Sequence, residues 1–118
     1  MTTTIELIDR TKLFAHRCVK FSLSLPKNDL GNHIRKQLIR SSTSVAANYR
    51  AAVLGQSKAA FKAKLSIVLE EVDESQFWIE FSLDEKIVNS AKTKDLFIEA
   101  NELKSIFFAS RKTMNSGK

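Results

Sequence analysis

Two histidines, one cysteine and a block of carboxylates are the side chains here that could hold a metal or move a proton. Structural zinc takes four ligands from Cys and His, and His16, Cys18 and His33 supply three. His16 and Cys18 stand at i, i+2, which points them to different faces of a helix. Carboxylate-bridged metal bundles would suit Glu70, Glu71, Asp73 and Glu74, but they need a Glu-x-x-His pattern, and no His follows position 33. The many Ser residues lack a base at a workable spacing. No catalytic, metal, cofactor or small-molecule site is therefore expected, and the chain reads as a non-enzyme.

The cations carry more information. Arg35, Lys36, Arg40 and Arg50, with Arg17 and Lys20, are the candidates for phosphate contacts. Such contacts give affinity without sequence readout and weaken with salt. The competing chemistry is equally physical: the same cations would neutralise an acidic helix within the chain or on a neighbouring copy. Net charge is +6, and residues 1–56 carry nine Lys/Arg against three Asp/Glu. Residues 57–118 hold ten of each sign, and 65–85 carry seven Asp/Glu with no Lys or Arg. The chain is electrically polarised, a pattern that attracts nucleic acid or drives self-pairing.

Helices must position these groups. Three Gly and one Pro in 118 residues are too few for a turn-rich β chain, and the length suits one domain, 1–118. Apolar periodicity predicts helices over about 4–23, 29–54, 57–83 and 94–114. The expected inward faces are Ile5, Ile8, Ala15, Val19 and Ser22 on the first and Leu30, Ile34, Leu38, Ser41, Val45, Tyr49 and Ala52 on the second. Phe61, Leu65, Val68, Val72, Gln76 and Ile79 follow on the third, with Leu96, Ala100, Leu103, Phe107, Ser110 and Met114 on the fourth. Short connections give an all-α, up-down-up-down antiparallel four-helix bundle. Cys18 is expected as a buried inert thiol, and Asn48 as an amide bonding across helices.

Helix three has a second apolar set, Ile67, Trp78 and Phe81, almost opposite the first, with Glu71 and Glu74 among it. One core accounts for one stripe, so the second is assigned to a subunit interface. Ile39, Thr43 and Ala46 on helix two, small or apolar between arginines, are assigned to the same interface. No apolar run reaches the roughly 20 residues that span a bilayer, so no membrane partner is expected. The N-terminus lacks a secretory pattern, and a single Cys fits a reducing cytoplasm.

The strings Arg10-Thr-Lys-Leu-Phe14-Ala15, Leu25-Pro26-Lys27 and Gln37-Leu-Ile-Arg40-Ser-Ser-Thr43-Ser44-Val45-Ala-Ala47-Asn48-Tyr49-Arg50-Ala-Ala52 carry a further signal, as does Lys64 to Glu80 with its Glu71, Glu74 and Trp78. Together they resemble the four-helix-bundle proteins encoded within intervening sequences of bacterial 23S ribosomal RNA genes, often labelled S23 ribosomal proteins. The accessory variability protein of diversity-generating retroelements is similar to that family. The resemblance implies a ring-shaped homo-oligomer, typically a pentamer. In the retroelement branch it implies a positive surface that meets RNA and a reverse transcriptase. One departure is that many relatives have Glu after the Tyr-Arg pair, where this chain has Ala51-Ala52, which leaves helix two more basic.

The expectation is a cytoplasmic, non-catalytic, homo-oligomeric scaffold whose basic surface binds RNA or an RNA-bound protein. The alternative is an assembly or adaptor protein whose basic and acidic helices pair between subunits without nucleic acid. Arg40 and Arg50 facing solvent as one continuous patch would favour the first; their burial against Glu71 or Glu74 would favour the second.

Overall fold

Each helix starts where a small polar side chain satisfies the free N–H groups of its first turn. In the computed structural model, which describes residues 3–116, these are α1 (Thr4–Leu23), α2 (Asp29–Val53), α3 (Lys58–Asp84) and α4 (Ser90–Ser116). Thr3 and Glu6 form a reciprocal capping box at α1. Asn28 accepts from the Gly31 N–H at 2.8 Å and Ser57 from the Ala60 N–H at 3.0 Å. Asn89 Oδ1 accepts from the Lys92 N–H at 3.2 Å.

That last cap moves the start of α4 four residues ahead of the expected Lys94. The end of α3 explains why the sequence hides it. Lys86 sits in the left-handed region at φ 57° and donates its N–H to Leu83 O, while the Ile87 N–H reaches Ser82 O. These two bonds make a Schellman stop with Lys where Gly is usual, so no glycine announces the break.

Consecutive helices pack against each other, and α1 closes against α4. They run antiparallel: Ser41 meets Ser75 and Ser44 meets Glu71 between α2 and α3, while Asp73 meets Lys104 and Gln76 meets Asn101 between α3 and α4. The result is an all-α, four-helix body of 49 × 21 × 20 Å. Its core joins Phe14 and Cys18 of α1, Leu38 and Val45 of α2, Leu65 and Val72 of α3, and Leu103 and Phe107 of α4, all buried. Burial pushes the Cys18 thiol up to about 12, so at neutral pH it is a protonated filler of the core.

The face of α1 differs from the expected one. Leu7, Thr11, Phe14, Ala15, Cys18 and Ser22 point inward, whereas Ile5 is 73% exposed and Ile8 and Val19 are only partly covered. Thr11 masks the true stripe, because a polar type stands in its middle. Its hydroxyl donates to Leu7 O at 2.8 Å, which lets it be fully buried. Asn48 also differs: its amide bonds Ser44 O and Ser44 Oγ within α2 rather than crossing directly to a neighbour.

Two backbone sites carry opposite expectations. A Cβ at Gly31 would lie 1.8 Å from Pro26 O, so Gly31→Ala should cost about 3 kcal/mol in urea unfolding. Lys86→Gly relieves the left-handed strain and should gain about 0.5–1 kcal/mol. Equal effects at the two sites would contradict the geometry.

Candidate interaction surfaces

The seam between α2 and α3 holds a connected polar network on its outer edge. Arg40 forks onto two carboxylates of α3, with Nη1 3.1 Å from Glu71 Oε2 and Nη2 2.6 Å from Glu74 Oε1. Ser44 Oγ donates to Glu71 at 3.0 Å, and Asn48 donates to Ser44. Trp78 Nε1 donates to Glu74 at 3.2 Å. Glu71 and then Glu74 hold the Arg40 proton more tightly than usual through these hydrogen bonds. Arg40 remains half exposed at 50%, so water still screens the pairs.

Arg35 is not a free cation either. Its guanidinium donates to the backbone carbonyls of Ser22, Leu25 and Pro26 and to Asn32. It therefore ties the α1–α2 turn to α2, and its donors are directed at these oxygens instead of standing free for the phosphate contact expected of it. Lys36 and Arg50 are exposed, with no carboxylate within 4 Å among the described residues. At 1.5 Å per residue they stand about 21 Å apart along the helix. Exposed Thr43 and Ala47 lie between them, with Ile39 and Ala46 half-buried beside that ridge. The α2 ridge is thus small-residued and cationic at its ends, and Arg40 and Arg50 do not form one continuous patch.

Arg17 and Lys20 lie elsewhere, in an open groove between the C-terminal half of α1 and the start of α4. Lys92 joins them there. Sequence reasoning missed Lys92 because it falls in what reads as a connection; Asn89, a capping residue, was the available signal.

The second apolar set of α3 is partly covered from within the chain. His33 of α2 packs edge-on to Trp78 at 5.3 Å, and Phe77 and Phe81 flank the indole at 4.9 and 6.2 Å. Trp78 and Phe81 end half-buried, while Phe77 is 49% and Ile67 37% exposed. His33 was not among the expected contact residues, since it lies on another helix; Phe77, at the edge of the second apolar set of α3, was legible from its spacing to Phe81. No group of three or more metal-ligating side chains occurs among the described residues, and no helix is long and apolar enough to cross a membrane.

The four-helix body with this small-residued α2 and acidic, aromatic α3 matches a known sequence family. The model of the 23S rRNA-intervening sequence protein family covers residues 3–109. The chain belongs to that family. Among solved structures it is similar to a protein of unknown function from the S23 ribosomal protein family of Bacteroides thetaiotaomicron VPI-5482, with 28% identity and a TM-score of 0.84. That match covers 93% of this chain and 98% of the other. No curated protein matches. In this intervening-sequence protein Ala51-Ala52 follow Tyr49-Arg50, and Arg50 has no carboxylate within 4 Å among the described residues.

The network makes a quantitative expectation. Arg40→Ala should lower stability by less than about 1 kcal/mol, and a double-mutant cycle with Glu71→Gln should give a coupling of about 0.5 kcal/mol. A coupling above about 2 kcal/mol would show that the seam is closed to water.

Proposed function

We propose that this intervening-sequence protein is a non-catalytic, self-associating scaffold whose positive surface holds RNA or an RNA-bound protein. The observation that carries the reading is how the ion pairs are shared. Arg10 takes two carboxylates, Glu99 and Glu102, and Arg40 takes two, Glu71 and Glu74. Each arginine thereby removes more negative than positive charge from the surface, and Lys104 engages Asp73 as well. Five carboxylates of α3 and α4, Glu71, Asp73, Glu74, Glu99 and Glu102, are engaged by cations of the same chain, while Glu70, Glu80, Asp84 and Asp95 stay exposed; Arg17, Lys20, Lys36 and Arg50 keep no carboxylate within 4 Å among the described residues. A surface so arranged offers phosphates unpaired cations.

Self-association is supported by the outer faces of α2 and α3. The ridge of Ile39, Thr43 and Ala46 lets a second helix approach closely, and Ile67 and Phe77 leave apolar surface uncovered. A pentameric ring is the arrangement proposed, and a buried cysteine outside any disulfide suits the cytoplasm. A protein-only scaffold has its own support: Arg40 and Arg50 form no continuous patch and Arg40 is engaged by Glu71 and Glu74 while half exposed, so the RNA reading rests on Arg17, Lys20, Lys36 and Arg50 and not on Arg40.

Two measurements test this reading. Light scattering should give five times the 13.3 kDa chain mass; a single-chain mass would remove the ring. Binding to a structured RNA should weaken steeply as salt rises, with log K falling by about 0.7–0.9 per phosphate contact for each unit of log salt. No binding at low salt would transfer the assignment to the protein-only scaffold.

A further inference from the structure

The groove between α1 and α4 sets three cations beside apolar side chains. Its open volume is about 640 Å³, within the range of pockets that take a small organic group. Arg17 is half-buried, and Lys20 and Lys92 are exposed. None of the three has a carboxylate within 4 Å among the described residues. Asp95 is the one carboxylate among the groove's lining residues. Beside these cations run apolar walls made by Phe21 of α1 and by Ile87 and Val88 of the α3–α4 connection.

We infer that this groove holds one unpaired nucleotide of a single-stranded RNA segment, with its phosphate on Arg17, Lys20 and Lys92 and its base against Phe21, Ile87 and Val88. The inference rests on the RNA reading above and narrows it. A free inorganic anion would use the cations and leave the apolar wall unsatisfied. An A-form duplex presents phosphate and ribose outward and keeps its bases stacked inside, so it too would leave the wall unused. An unstacked nucleotide supplies both halves at once, a charged group and a flat apolar face next to it. Asp95 stands three residues after Lys92 on α4, hence beside it on the same face, where a carboxylate can accept from base or ribose donors.

Each cation reaches the groove by a separate feature of the fold. Arg17 and Lys20 are three residues apart on α1, hence neighbours on one face. Lys92 arrives because the Schellman stop at Lys86 and the Asn89 cap start α4 early and turn its first residues toward α1. The groove therefore exists only once the α3–α4 connection is folded.

The test uses the whole protein with three probes at about 0.1 M salt: a twelve-nucleotide single-stranded RNA carrying a central 2-aminopurine, a duplex RNA of the same length, and polyglutamate. The expected result is that the single strand binds at least about tenfold tighter than the duplex and changes its 2-aminopurine emission. Lys20→Glu with Lys92→Glu should weaken that binding by tenfold or more, since charge reversal makes phosphate contacts repulsive. Val88→Ala should weaken it severalfold without altering the salt slope, while Lys58→Glu with Lys62→Glu, two exposed lysines of α3 outside the proposed RNA surface, leaves the emission change intact. Circular dichroism confirms helix content in each variant, and all but Val88 are exposed side chains. Tight RNA binding that the groove variants do not disturb, or equal affinity for duplex, overturns the groove inference and leaves the RNA reading standing. Equal binding of polyglutamate overturns it as well, because charge alone then explains the affinity. Absence of RNA binding at low salt overturns both.

Discussion

Ser41 and Ser75 meet hydroxyl to hydroxyl at 2.8 Å, fully buried between α2 and α3, and most of the molecule's surface chemistry depends on that close approach. Side chains this small let two helix backbones draw together where leucines would hold them apart. The buried hydroxyls are tolerated because each has a partner: Ser75 donates to Glu71 O, one turn back on its own helix, and Ser41 Oγ also lies 3.4 Å from Leu38 O. An apolar replacement of one partner alone would strand the other.

Close packing decides the electrostatics. With α2 and α3 near each other, Arg40 spans the seam and collects Glu71 and Glu74, and Ser44 and Asn48 extend the chain of hydrogen bonds along α2. On the far side Arg10 forms a bidentate pair with Glu99 and reaches Glu102, which fastens α1 to α4. These partly exposed pairs add modestly to stability. Their larger consequence is spatial, because they fix which charges are used inside the bundle and which are left to meet a partner.

The remaining surface divides into two regions of different character. The outer α2–α3 side is small-residued and aromatic, with Trp78 held between His33, Phe77 and Phe81. The α1–α4 side is a concave groove rimmed by Arg17, Lys20 and Lys92. A scaffold that contacts copies of itself on one side and an anionic strand on the other needs such a separation, since one face cannot be buried in assembly and open to a ligand. Membership of the intervening-sequence family and the likeness to an S23 structure of unknown function fix the fold and leave the activity to be read from these surfaces.

The sequence alone determined the four helices and most of their inward faces, because apolar spacing and the caps Asn28 and Ser57 are local signals that tertiary packing did not need to override. It also determined the polarity of charge along the chain and the family. Only the tertiary structure decided which cations are free. Arg35 and Arg40 look alike in sequence to Lys36 and Arg50, yet the first two are consumed by a turn's carbonyls and by a neighbouring helix. The face of α1 was hidden by Thr11, whose burial depends on a hydrogen bond to its own helix. The start of α4 was hidden by a left-handed Lys86. The physical reason is common to all of these: a polar side chain's role depends on partners that are distant in sequence or on backbone geometry that no residue type announces, whereas apolar periodicity is written residue by residue.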